Sequence, residues 1–433
     1  MGNWDIMIEY SLQNAVFDSQ PWCLRTVFLV YDLEKRDEEP PFAKLWSLTW
    51  PVPPRNVLLV KKRHVPLVRS ALITFAKHIK STHPETNIIL EPSIAHSIHH
   101  EVSFPIFTLP PSPNSSPFPY TQSTYPRTPT PHQPQHPAAS APTSTSLSLN
   151  GDENPYHKKT DLLVTLGGDG TILHAASLFS TSRQVPPVLS FAMGTLGFLG
   201  EWRWDDHVGA VDEVFRGMGR VLRRERLKVG VYDRDGKRVG GDWGEVEGIG
   251  DAHAMNEVNI HRGKDPHLAI VEVFVDGRFL TEGVADGMIV STPTGSTAYS
   301  LSSGGSIIHP SVSSLLLTPI CPRSLSFRPL VLPADSLLTL KLSERNRSKE
   351  VEVNVDGRRW GGIGRGEEIR VWSEEMGVVQ MECEGDGEGR MMAAEGGIPC
   401  IRGSPRKGER EDDGWVGGLN GLLKFNYPFG DEE

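Results

Sequence analysis

Residues 161–179, DLLVTLGGDGTILHAASLF, change periodicity halfway along. Leu162 to Leu166 form a β-favouring run, and Ile172, Leu173, Ala176 and Phe179 recur at helical spacing, so the segment predicts a strand, a tight glycine turn and a helix. Together with the strand–helix–strand order at 56–92, this predicts a parallel sheet with crossover helices. Three glycines, Gly167, Gly168 and Gly170, surround one carboxylate, Asp169. Glycine lets an anion approach the backbone, and the helix start offers unpaired N–H groups, so the turn suits a triphosphate. A carboxylate in the middle of such a cradle would repel phosphate unless it has a task there. The task that fits is to take a proton from a hydroxyl or to work beside a divalent cation. A purely structural turn is the competing reading, and the spacing matches neither the P-loop nor the dinucleotide fingerprint.

The flanking sequence extends the same pattern. NVLLVKK at 56–62 predicts a buried strand, Val68, Leu72, Phe75, Ala76 and Ile79 a helical stripe ending before Pro84, and NIILEP at 87–92 the next strand. PVLSFAMG at 187–194 adds a strand, and Val208, Val211, Val214 and Phe215 a helix. Beyond residue 220 the character changes. VYDRDGKRV, VFVDGRFL and VNVDGRRW each set Asp-Gly between alternating β-formers, a strong hairpin signal, so the second half reads as all-β. The expected divisions are an unassigned extension at 1–50, an α/β domain at 51–216, a β-rich domain at 217–383, and a linker with a docking segment at 384–433. Within the first domain, 103–158 is read as a disordered Pro/Ser/Thr-rich insertion, since 12 of the 34 prolines fall in 103–150 and little apolar surface is left to offset ordering. Residues 384–412 read as a flexible linker. DGWVGGLNGLLKFNYPF at 413–429 is a candidate docking helix, weakened by its glycines at 417, 418 and 421.

Two further segments carry chemistry. In DGMIVSTPTGSTAYSLSSGGSIIHP, 286–310, a strand runs into small hydroxyl residues, with Ser296 or Thr297 placed to cap a helix and Tyr299 placed to stack on a base. A Ser/Thr-rich loop with an ordinary core tyrosine is the plain alternative. In HAMNEVNIHRG, 253–263, the adjacent amide and acid of Asn256 and Glu257 suit a ribose diol or a purine edge, although such a pair alone is no signal.

LGGDGT at 166–171, Asn256-Glu257, ADGMIVSTPTGSTAYSLSSGG at 285–305 and TPICPRSLSFRPLVLP at 318–333 together resemble the signature set of the NAD kinase family. The likeness is close over most of 159–385 and loose over 54–100; HAMNEVNIHRG and the arginine of CPRSLSFRP are most similar to the fungal mitochondrial NADH kinase branch. The resemblance implies an α/β N-terminal domain with a Rossmann-like parallel sheet, an all-β sandwich C-terminal domain, and nucleotide sites in the cleft between them. It implies ATP-dependent phosphorylation of the adenosine ribose 2′-hydroxyl of NADH or NAD, with Mg²⁺ or another divalent cation. By motif, Asp169 resembles the catalytic acid, with Gly167, Gly168, Gly170 and Thr171 around the phosphates. Asn256 and Glu257 resemble the pair holding the ribose and adenine. Asp286, Thr294, Thr297, Ala298, Tyr299 and Ser302 resemble the rest of that wall, and Phe198 of GTLGFL the loop residue beside the dinucleotide. Position 323 departs from the wider family, which carries His there; Arg323 is a candidate anion contact, with a surface or interface charge as the alternative.

Composition removes several rivals. A net charge of −10 argues against a nucleic-acid partner, and no run approaches 18 apolar residues, so no membrane helix is expected. Cys23, Cys321, Cys383 and Cys400 lie far apart, as reduced thiols do. His253, His261 and His267 match no zinc spacing, so no resident metal site is expected. A lipid kinase of the diacylglycerol or sphingosine type shares a GGDGT-like turn without STPTGSTAY, and a silent dinucleotide-binding regulator would lack Asp169. Family likeness implies a dimer or tetramer and the mitochondrial matrix. Residues 1–40, however, carry several acids and few basic side chains, unlike a transit peptide, which leaves a cytoplasmic location as the alternative.

Overall fold

The computed structural model describes residues 28–30, 45–50, 52–109, 155–194, 197–239, 252–381 and 391–403, with single positions at 415, 419 and 423. The candidate docking helix at 413–429, apart from those three positions, and the centre of the proline-rich stretch at 110–154 lie outside the described residues.

The first unit is a ten-stranded sheet. Its order is Phe28–Val30, Trp46–Thr49, Arg220–Arg224, Ile398–Arg402, Val188–Ala192, Leu162–Gly167, Asn56–Lys61, Asn87–Leu90 and Ile106–Thr108, with Trp202–Arg203 paired to Val188–Ala192. The strands from Ile398–Arg402 to Ile106–Thr108 run parallel, and Arg220–Arg224 begins an antiparallel flank. Leu162–Gly167 and Asn56–Lys61 are buried along their whole length, because a central parallel strand is covered on both faces and therefore tolerates a continuous apolar run.

The pleat sorts neighbouring residues to opposite layers. Val57, Leu59, Val164 and Phe191 face α1 (Pro66–Thr82), α2 (Pro92–Ile98) and α5 (His207–Phe215). Leu58, Val60 and Leu163 face α4 (Asp169–Ser177), with Tyr156 of α3 (Pro155–Lys159) beside them. The expected stripe of α1 is the buried face, and the helix ends before Pro84 as expected; Pro66 opens it at the first helical position.

The second unit is a sandwich. One sheet has the order Arg238–Val239, Leu227–Tyr232, Glu368–Ser373, Leu338–Leu342, Ala269–Val275, Arg278–Ala285, with Ala252–Ala254 beside Leu227–Tyr232. The other has the order Leu330–Pro333, Ser314–Ile320, Gly287–Ser291, Glu257–His261, Glu350–Val355, Arg358–Gly364. Val229, Val271, Leu340 and Ile369 of one sheet meet Ile260, Met288, Leu317 and Val353 of the other in a single apolar layer. All three Asp-Gly hairpins form. Asp276-Gly277 and Asp356-Gly357 both take positive φ, 50° and 74° in the first and 46° and 71° in the second, as a two-residue hairpin turn requires.

Several expected divisions move. Arg220–Arg224 and Ile398–Arg402 belong to the first sheet, although 217–383 was expected to be β-domain and 384–433 linker and docking segment. The chain leaves the first sheet, builds the sandwich and returns, a pairing across more than 170 residues that no local pattern carries. Trp46–Thr49 places part of the unassigned extension in the same sheet, and Ile106–Thr108 lies inside the segment read as insertion from 103.

Candidate active site at the glycine turn

Leu162–Gly167 ends at the C-terminal edge of the parallel sheet, and α4 opens at Asp169 with Gly168 at its N-cap position. The three glycines do different work. A Cβ on Gly167 would lie 2.3 Å from the Thr171 hydroxyl and 3.0 Å from Lys62 Cβ, so this residue is needed for packing. A Cβ on Gly168 or Gly170 would meet nothing within 4 Å, so theirs is the backbone that an anion can reach. Thr171 is buried against Gly167. Lys62 is exposed beside this turn and has no ion-pair partner among the described residues.

Asp169 is held by the loop that follows Val188–Ala192. The amide of Phe198 donates to Oδ2 at 2.9 Å and that of Leu199 to Oδ1 at 3.1 Å. Each carboxylate oxygen keeps a second lone pair. Gly197 makes this possible, since a Cβ there would stand 2.0 Å from Oδ1. Phe198, expected beside the dinucleotide, thus reaches the site through its main chain as well: its carbonyl accepts from Arg224 at 3.2 Å.

Arg224 joins the two units. It is buried, pairs with Glu201 at 3.0 Å, and donates to the Thr294 hydroxyl at 3.4 Å. Thr294 begins the short 3-10 turn Thr294–Thr297, after which α6 (Tyr299–Ser302) starts. Neither Ser296 nor Thr297 caps that helix, contrary to expectation. Ala298 holds the cap position, while the Ser296 hydroxyl bonds Pro293 O and the Thr297 hydroxyl bonds Thr294 O, tightening the turn before it. A Cβ on Gly295 would lie 2.0 Å from the Asn256 carbonyl, so this glycine brings the hydroxyl segment against the Asn-Glu pair.

Asn256 and Glu257 are both buried, and Asn256 Oδ1 and Glu257 Oε2 have no hydrogen-bond partner among the described residues. Unpartnered buried acceptors side by side are costly unless a ligand answers them. Their main chain is fixed by Asp356, whose carboxylate accepts from the amides of Met255 at 2.9 Å, Asn256 at 2.7 Å and Glu257 at 3.2 Å. Burial, reinforced by the Asp356 charge, pushes the Glu257 carboxyl up to about 8. Asp356 takes the three amide donors, so Glu257 is the neutral partner at pH 7 and can donate as well as accept.

The other expected wall residues divide. Tyr299 is 37% exposed, with its hydroxyl pushed above the ordinary range by burial and then by Cys321, Asp286 and Glu257 nearby, so these groups share one locality. The Asp286 carboxylate is engaged by Arg262 at 2.6 Å. Ala298 is half-buried, Ser302 and Arg323 are exposed, and the Arg323 amide donates to Val284 O at 2.8 Å. Gly197, Arg224 and Asp356 were missed. Only Asp356 left a signal, as the Asp of a hairpin turn.

The chain matches the family model for the ATP-NAD kinase N-terminal domain over residues 125–218 and that for the ATP-NAD kinase C-terminal domain over 255–380. It is 37% identical to the mitochondrial NADH kinase of Saccharomyces cerevisiae over 403 residues, covering 90% of this chain and 85% of that protein. It is 36% identical to the mitochondrial NADH kinase of Schizosaccharomyces pombe, covering 89% and 79%. A crystal structure of yeast NADH kinase complexed with NADH superposes with a TM-score of 0.67 at 34% identity, covering 91% of this chain and 95% of that one.

Proposed function

This chain belongs to the ATP-NAD kinase family, and on that premise we propose that Asp169 is the base that takes the proton from the adenosine ribose 2′-hydroxyl as ATP phosphorylates it. Phosphorylation of NAD(H) at the expense of ATP is its activity, and both substrates are small molecules. The observation that carries the residue assignment is the fixing of Asp169 by two loop amides at the start of α4, next to the open glycines.

A sugar hydroxyl is a poor nucleophile at neutral pH, and a positioned base contributes about 10²–10⁴-fold. The remaining requirement is alignment and charge neutralisation. Gly168 and Gly170 offer backbone to the ATP phosphates, and Lys62 stands beside them as a counter-charge. Asn256 and Glu257 answer the adenosine ribose and base with the acceptors they leave unpaired, and Tyr299 offers a face for stacking. Thr294, Thr297, Ala298 and Ser302 line the approach, with Phe198 joined to Thr294 through Arg224; Asp286 acts through Arg262, and Arg323 is an outer anion contact.

No group of three metal-ligating side chains exists among the described residues, and Asp169 is the one carboxylate at the turn. Mg²⁺ would be held mainly by ATP's own phosphates and would neutralise their charge, which leaves the remaining lone pairs of Asp169 to the ribose hydroxyl. The names of the fungal relatives support NADH as the preferred acceptor and the mitochondrion as the location. A dimer or tetramer without nucleic-acid or membrane partners completes the reading; no described helix is long and apolar enough to cross a membrane.

The test is to supply ATP with NADH or NAD side by side, with and without Mg²⁺, and to separate the products by chromatography. NADPH should form faster than NADP, and only with the cation; equal rates would remove the acceptor preference.

A further inference from the structure

α4 carries Asp169 at its first residue and His174 five residues later, and His174 belongs to a line of side chains that crosses to the sandwich. Its Nε2 lies 2.9 Å from Glu91 Oε1, and its Nδ1 lies 2.9 Å from Arg358 Nη2. A guanidinium can only donate, so Nδ1 accepts, Nε2 carries the hydrogen, and the imidazole is a neutral bridge. Glu91 is also bound by Arg63 at 2.9 Å, and Arg358 donates to the Ser177 hydroxyl at 3.2 Å.

Arg358 stands two residues beyond Asp356, in the hairpin whose turn holds the amides of Met255, Asn256 and Glu257. α4 is packed into the sheet by Ile172, Ala175 and Ala176, so the helix stays put if the link is cut. The Asp356-Gly357 turn reaches the first domain through Met255, whose amide it holds and whose side chain is buried in the same cluster, and through Arg358, which ties the turn itself to α4.

We infer that His174 is a positioning residue: clamped between Glu91 and Arg358, it sets the Asp356 turn against α4 and so fixes the span between Asp169 and the Asn256-Glu257 pair. The inference rests on the assignment of Asp169 and of that pair given above. It requires that the acceptor side of the reaction respond to loss of the link while the ATP side does not.

The experiment compares His174→Met, Arg358→Met, their combination and His174→Gln in the full chain, with ATP and NADH varied separately and thermal stability followed by calorimetry. Arg358→Met should raise KM for NADH about tenfold and His174→Met by less, because Arg358 keeps its bond to Ser177, with KM for ATP within about twofold in both; the double variant should be no worse than Arg358→Met, which already cuts both bonds to α4. His174→Gln keeps one donor and one acceptor and should return KM for NADH to within about threefold of the parent. A soluble Met variant with parental KM for NADH overturns the inference, as does one whose ATP and NADH constants worsen together with stability. If one Met variant fails to fold the other decides, and failure of both counts against a positioning role. Asp169→Asn run in parallel separates the two ideas: turnover retained there removes the base assignment but leaves the KM comparison readable.

Discussion

Gly197→Ala tests the loop's hold on the carboxylate with a single methyl group. The added Cβ would stand 2.0 Å from Asp169 Oδ1, 2.6 Å from Cγ and 2.8 Å from Oδ2, whereas ordinary contact begins at 3.4 Å. Carboxylate and loop must separate by 3.4 − 2.0 = 1.4 Å, which stretches amide bonds of 2.9 and 3.1 Å past hydrogen-bonding range. Two hydrogen bonds to a charged group, about 1.5–3 kcal/mol each, are lost or weakened. A displacement of about 1 Å at a reacting group costs about 10²-fold, or roughly 2.7 kcal/mol of barrier. The expected result is kcat lowered about 10²-fold with both KM values within about threefold, measured as initial rates of NADPH formation resolved by chromatography. A variant with kcat within about threefold of the parent would refute the argument that these amides position the base.

Two other perturbations follow from the buried charges. The folded chain keeps a proton on Glu257 up to about pH 8 against an ordinary value of 4.5, so its contribution to stability is undiminished below the ordinary value and declines as pH rises toward 8. Above that pH the new charge faces an anionic dinucleotide, so KM for NADH should climb there. Glu257→Gln should flatten both profiles, and an unchanged break would assign it to another group. Arg226 and Glu374 form a buried pair, with bonds of 2.7 and 2.8 Å, while Arg226 also donates to Phe179 O and Ser182 O of the first unit. Glu374→Leu leaves a buried guanidinium without its anion and should cost about 3–5 kcal/mol, read as a calorimetric Tm drop on the order of 5–10 °C; a drop under about 2 °C would mean that water enters the junction.

Much of this architecture is readable from local pattern. The strand, glycine turn and helix at 161–179 and the stripe of α1 follow from periodicity, because burial on one face leaves a repeat in the chain. The Asp-Gly turns follow from backbone chemistry. What local pattern lacks is partnership at long range. Arg220–Arg224 has three arginines in five residues and reads as surface, yet it is buried between Trp46–Thr49 and Ile398–Arg402, its charges answered by Glu201, Gly377 O and Gly396 O. The equal treatment of Gly167, Gly168 and Gly170 fails because spacing does not show which way side chains turn: the Thr171 hydroxyl and the neighbouring strand end at Lys62 crowd Gly167 alone. Asp169 and Asn256-Glu257 were legible as candidates; the groups that hold them, Gly197 with its following amides and Asp356, were not, because their partners lie 29 or more residues away.

In the proposed reaction Asp169 receives the proton from the hydroxyl that ATP phosphorylates. The most direct test is Asp169→Asn, assayed for NADPH formation and, separately, for NADH binding by calorimetry without ATP. Turnover should fall by about 10²–10⁴-fold with NADH affinity within about threefold of the parent. Turnover within about tenfold of the parent, at unchanged affinity, would contradict it.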